Sequence, residues 1–166
     1  MARVTKAEKV GGITHDSRWY LTANFTGTAL DPVTLWAEVS GAQVAPLGAS
    51  MVLAAGIFTF PAVGRWRVGL YTRVHSSNTS RANHGIIHGC VDYTTGPTWS
   101  TLAYGSAEVS DSPSTKYVGT VAVYTIDVQD LAEQKVKFSY TALASNTLRS
   151  GPSETYAIFT RIGDTP

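Results

Sequence analysis

The chain has 166 residues, of which 43% are hydrophobic and 15% charged, with a net charge of +1. That size suits one domain, which buries roughly 70% of its unfolded surface and needs no disulfide staples. The near-zero charge offers no basic field to nucleic acid, no stretch approaches the roughly 20 apolar residues of a membrane helix, and the single cysteine, Cys90, excludes an intrachain disulfide.

Residues 1–17 read as an N-terminal arm, and residues 18–166 as one domain. Met1 to Val10 (MARVTKAEKV) lacks the apolar core of a secretion signal, so synthesis in a cytoplasm is expected. Arg3, Lys6 and Lys9 are balanced there only by Glu8, and Gly11-Gly12 reads as a hinge. Such a segment is either a loose terminus or a docking arm that orders against a partner.

Trp19, Leu21, Ala23 and Phe25 alternate with Tyr20, Thr22, Asn24 and Thr26, which predicts the first strand. Asp31-Pro32 marks a turn. A second short strand is expected over Val33 to Val39, with Val33, Leu35, Ala37 and Val39 on one face. Met51 to Phe60 and Val63 to Val74 then form a central pair. Ile57, Phe58 and Phe60 lead to Pro61, which gives up a ladder donor and ends the first member. After Gly64, Trp66, Val68 and Leu70 alternate with Arg65, Arg67 and Gly69. Phe58, Phe60, Trp66 and Leu70 are the expected core.

Polar loops are expected at 75–83, 110–115 and 145–153. Between them come strands over Gly85 to Tyr93, Trp99 to Val109 and Tyr117 to Val128. Lys135 to Leu143 follows a polar turn, and Thr155 to Ile162 is the last strand. About nine or ten strands, with turn signals every ~8–12 residues and no sustained helical period, predict an antiparallel sandwich. Four tryptophans and eight tyrosines exceed what one small core needs, so some belong at the surface or between subunits.

Phe58, five residues, Gly64, then Trp66, Val68 and Leu70 make the spacing F-x5-G-x-aromatic-x-apolar-x-apolar. This resembles the central signature of the C1q/TNF-like jelly-roll family, whose slots after the glycine usually hold Tyr, Phe and Phe. Upstream the match lapses, with Ser40, Pro46 and Met51 where the family has Phe, Asn or Asp, and an aromatic. A pairing of Tyr117 to Val128 with Lys135 to Leu143 through a polar turn, and the ending on Thr155 to Ile162, also resemble the family, and the likeness spans about Trp19 to Thr165. Segments like GIFTFPAVGRWRV and YAIFTRIGDT resemble the variant found in tailed-bacteriophage proteins.

The resemblance implies an all-β antiparallel jelly-roll β-sandwich that assembles as a homotrimer, with aromatic residues buried along the three-fold axis. It points to Tyr117, Val121, Val123, Tyr156, Ile158 and Phe159 as the trimer interface. It further implies a non-enzymatic virion structural protein, either a trimeric capsid decoration or cement protein or a head knob. Arg3, Lys6 and Lys9 would then dock the arm on a major capsid protein or another virion protein. The alternative is the receptor-binding tip of a tail fibre, reading host-surface glycans with the three polar loops.

Other chemistry finds little support. His84, Ile86, His88 and Cys90 share strand parity, so a His-x-Cys pair with His84 has zinc-ligand types, but the flanking glycines and polar loop favour surface histidines. Gly48-Ala49-Ser50 and Gly105-Ser106-Ala107 are not nucleophile elbows. Asp127, Asp130 and Glu133 cluster in a turn, where forming the turn is their ordinary role, and no Asp-x-Asp run suggests calcium. Phosphate loops and dinucleotide fingerprints are absent. Asn24-Phe25-Thr26 and Asn78-Thr79-Ser80 match the glycosylation acceptor pattern. No catalytic residue, metal, cofactor, nucleic acid or membrane partner is expected.

Overall fold

The computed structural model describes residues 12–41, 45–76, 85–109 and 116–165. Its strands are β1 (His15–Leu21), β2 (Phe25–Leu30), β3 (Trp36–Glu38), β4 (Val52–Ala54), β5 (Ile57–Thr59) and β6 (Gly64–Ser76). They continue as β7 (Gly85–Thr95), β8 (Thr98–Val109), β9 (Lys116–Val128), β10 (Gln134–Leu148) and β11 (Tyr156–Gly163). All pairings are antiparallel and fall into two layers. The first runs β3-β1-β11-β6-β9. The second is centred on β10, with β7 and then β8 along one edge and β2 and the β5-β4 hairpin along the other. Thr147 and Leu148 of β10 also pair with His75 and Val74 of β6, which ties the layers together at one end.

The core follows from two-residue periodicity on the inner faces. Phe58 is its hub. Its ring lies 4.9 Å from that of Phe159, 5.3 Å from Trp19, 5.5 Å from Phe138 and 6.0 Å from Trp36. Trp66, Val68 and Leu70 are buried in the same core, as the alternation after Gly64 predicts. Gly64 has φ 136°, and a Cβ there would lie 2.7 Å from the carbonyl oxygen of Gly163. The glycine of the signature is therefore required both by its backbone angle and by the close approach of β11.

Several expected boundaries shift. β1 begins at His15, inside the span assigned to the arm, because Ser17 already faces the core. The alternation from Trp19 to Thr26 is not one strand. The Thr22 N–H donates to Leu35 O at 2.8 Å, and Asn24 Oδ1 accepts from the Ser150 N–H at 2.8 Å. The chain turns there, and β2 crosses to pair with β10. Met51 to Phe60 is likewise a tight hairpin, turning at Ala55 (φ 49°) and Gly56 (φ 81°). Its neighbour β6 follows closely in sequence but pairs with β9 and β11 in the other layer, so the central pair is a crossing between layers rather than a hairpin. The expected late hairpin is corrected in the same way: β9 pairs with β6 and β10 with β7, so the turn at 129–133 also crosses between layers.

Over 33–39 the expected face is interrupted. Val33 is buried but Leu35 is 50% exposed, while Trp36 is buried. The indole N–H of Trp36 donates to Val33 O at 2.8 Å, and its ring packs 5.5 Å from Phe138. A large aromatic surface gains more from burial than a leucine side chain does. The acidic turn forms as expected. Asp130 Oδ1 accepts from the Ala132 N–H at 2.8 Å, and Gln134 Oε1 accepts from the Asp130 N–H at 2.7 Å.

Candidate interaction face

The outward side of the first layer is assembled from alternate residues of four strands. β6 contributes Arg65, Arg67, Gly69, Tyr71, Arg73 and His75 from the positions between its buried residues. Register places Tyr156 of β11 and Val121 of β9 on either side of Tyr71, and Ile158 and Val123 on either side of Gly69. The Tyr71 and Tyr156 rings stack at 4.7 Å and 13°. The Arg18 guanidinium of β1 lies 3.8 Å over Tyr156, and that of Arg73 lies 4.7 Å over Tyr117. Arg73 also pairs with Glu154 at 3.1 Å. Cations over aromatic faces hold both partners in place, and their stems cover part of the apolar surface.

Two recesses mark this face. One, of about 460 Å³, is walled by Tyr71, Arg73, Tyr117, Val121, Glu154 and Tyr156. A smaller one, of about 100 Å³, lies among Arg67, Gly69, Tyr71, Ile158 and Thr160. A Cβ at Gly69 would meet the Tyr71 ring at 3.1 Å, so the missing side chain leaves this hollow open. Tyr117 and Val121 are about half exposed, and Val123 is 37% exposed. Apolar surface gathered with aromatics and arginines, rather than scattered singly, is the composition of a contact surface.

The structure thus gathers Tyr117, Val121, Val123, Tyr156 and Ile158 on one face. Phe159 is corrected. It is fully buried, 4.9 Å from Phe58, because adjacent strand residues point to opposite faces and Ile158 takes the outward one. Arg18, Tyr71 and Arg73 join the face without having been singled out as interface residues. Their alternation with buried residues marked them as outward, but only strand register puts them beside Tyr156 and Tyr117. Arg3, Lys6, Lys9, His84 and Asn78, and most of the first two polar loops, lie outside the described residues.

Cys90 is half-buried in β7, and its thiol pKa is raised by burial and by Asp92, against a lowering hydrogen bond from Ser139. Among the described residues no group of three or more His, Cys, Asp or Glu could hold a metal ion. Asp127 pairs with Arg65 at 3.7 Å. Among the described residues no helix is long and apolar enough to cross a membrane.

Two antiparallel layers with this strand order define a C1q/TNF-like jelly roll. Solved structures agree. Murine APRIL superposes with a TM-score of 0.61 at 13% identity, covering 89% of this chain and 98% of that one. The Eiger TNF of S. frugiperda gives 0.66 at 11% identity, covering 92% and 96%. The globular domain of the zebrafish complement 1qA protein gives 0.56 at 14%, covering 92% and 99%. No family model matches the sequence, and no curated protein matches it. At these identities the likeness establishes the fold.

Proposed function

We propose that this protein is a non-enzymatic virion structural protein of a tailed bacteriophage, a homotrimer that decorates or cements the capsid. The observation that carries the assembly is the outward face of the first layer, where Tyr71, Tyr117, Val121, Val123, Tyr156 and Ile158 are gathered. A monomer gains nothing by keeping such a face in water, whereas a second copy would bury it. A net charge of +1 leaves little long-range repulsion to oppose that association. The phage setting rests on the resemblance of the GIFTFPAVGRWRV and YAIFTRIGDT segments. A trimer suits a local three-fold position on a capsid, and its three arms would add avidity to each attachment.

The test is co-sedimentation with DNA-free heads of a tailed phage and, separately, with whole host cells. Retention on heads, lost when residues 1–12 are deleted while β1 stays intact, is the expected result. Retention on cells alone would replace this reading with the tail-fibre tip.

A further inference from the structure

The outward face of the second layer carries a separate groove of about 340 Å³. It opens between the β7–β8 turn, at Gly96 and Pro97, and the β9–β10 turn, at Ala132 and Glu133. Thr94, Lys135 and Ile57 line it from neighbouring strands, and the Trp99 indole forms a wall. Register sets Trp99, Thr94 and Lys135 in one row across β8, β7 and β10. The Thr94 hydroxyl is bonded to the carbonyl oxygens of Gly96 and Thr98, which ties the first turn to its strand.

Trp19, Trp36 and Trp66 are buried, whereas Trp99 stays partly exposed. Lys137 Nζ sits 5.1 Å from the centre of its ring and also pairs with Asp31 at 2.7 Å. Lys137 is not among the groove walls, so it steadies the indole without filling the cleft. Glu133 and Lys135 place one charge of each sign among the groove walls, and Asp31 pairs with Lys137 beside it. One charge of each sign in the groove favours a neutral ligand over an ion. What remains is the Trp99 indole, with Lys137 over one side of it, beside a polar rim that both accepts and donates hydrogen bonds.

We propose that this groove is a carbohydrate-binding subsite for a neutral pyranose. The C–H face of the sugar would lie on Trp99, and its hydroxyls would reach Glu133, Lys135 and the turn carbonyls. The volume is at the low end of ligand clefts, roughly 300–1,000 Å³, which suits one or two sugar rings. The inference goes beyond attachment to a particle and does not depend on it. It also places sugar recognition on strands and two short turns rather than on the polar loops.

Saturation-transfer NMR of the full chain with maltose, lactose, cellobiose and N,N′-diacetylchitobiose, each at millimolar concentration, tests it. Transfer to the ring C–H protons of at least one disaccharide is expected, with a change in the emission of the exposed tryptophan. Trp99→Ala should weaken binding by about tenfold or more, a loss of about 1.4 kcal/mol. Trp99→Phe should keep most of it, and Glu133→Ala, in an exposed turn, should weaken it with an unchanged melting temperature. If Trp99→Ala does not fold, the last two variants decide between the outcomes. Binding by none of the sugars, binding indifferent to Trp99 and Glu133, or displacement of the sugar by inorganic phosphate would each overturn the proposal.

Discussion

Phe58 and Tyr140 show what single residues contribute. The Phe58 ring touches aromatic rings from both layers, so truncation opens a cavity that no neighbour can fill without moving. Phe58→Ala should cost about 3–5 kcal/mol, read from the urea midpoint. Tyr140 is 1% exposed, and its hydroxyl has no hydrogen-bond partner among the described residues. Burial pushes its pKa up to about 12 from 10.0. Below pH 10 the phenol is neutral in both the folded and the unfolded chain, so it adds no pH dependence. Above pH 10 the unfolded chain ionises first, and stability falls by about 1.4 kcal/mol per pH unit until the folded pKa is reached. Tyr140→Phe should remove that part of the alkaline loss while leaving stability near pH 8 unchanged or slightly higher. Urea titrations of both proteins at pH 8 and pH 11.5 check it, and an equal alkaline drop in the two would refute the assignment. Phe58 was legible as core from its place in an aromatic run beside a turn. Tyr140 showed its parity with Phe138, but nothing local showed that its hydroxyl would be sealed inside.

At the scale of elements, glycines mark where strands meet. β8 passes so near β9 that a Cβ on Gly105 would lie 2.6 Å from the carbonyl oxygen of Val121. Among the described residues β8 pairs only with β7, and β9 only with β6, so this edge of the sandwich is closed by packing rather than by a ladder. Gly105→Ala should force the edges apart and cost about 1–3 kcal/mol. Gly119→Ala meets only one atom, at 3.6 Å, and should change the melting temperature little. Equal effects of the two substitutions in thermal unfolding would contradict the close approach. The longer strands were readable because alternation over many residues is a strong signal, as in β6 and β9. The β4–β5 hairpin was less legible, because Ala55 takes a positive φ against its own preference and leaves Gly56 as the single turn residue. The break between β1 and β2 is hidden in the sequence because a three-residue turn at 22–24 does not disturb the alternation.

For the whole molecule, the prediction concerns assembly. Val121 is 52% exposed and does not belong to the core, so a charge there should not unfold the subunit. Val121→Glu should shift the protein in light scattering from three times the 17.7 kDa chain mass towards one, with its melting profile keeping a folded transition. A parent protein that scatters as a monomer would remove the basis of the proposed trimer. An unaffected trimer would move the interface away from the face that Tyr71 and Tyr156 define.

The sequence by itself determined the class of fold and most of the core. Side-chain parity is local, and Trp66, Val68 and Leu70 declare their side of a strand without reference to anything distant. It also limited the chemistry, since charge and residue inventory do not depend on folding. Only the tertiary structure decided which strands are neighbours, and thus that Tyr71 meets Tyr156, that Phe159 turns inward to Phe58, and that Trp99 flanks a groove between two turns. Those contacts join residues as much as about a hundred positions apart, by register within a layer and by packing between layers, and both are settled only when the two layers come together.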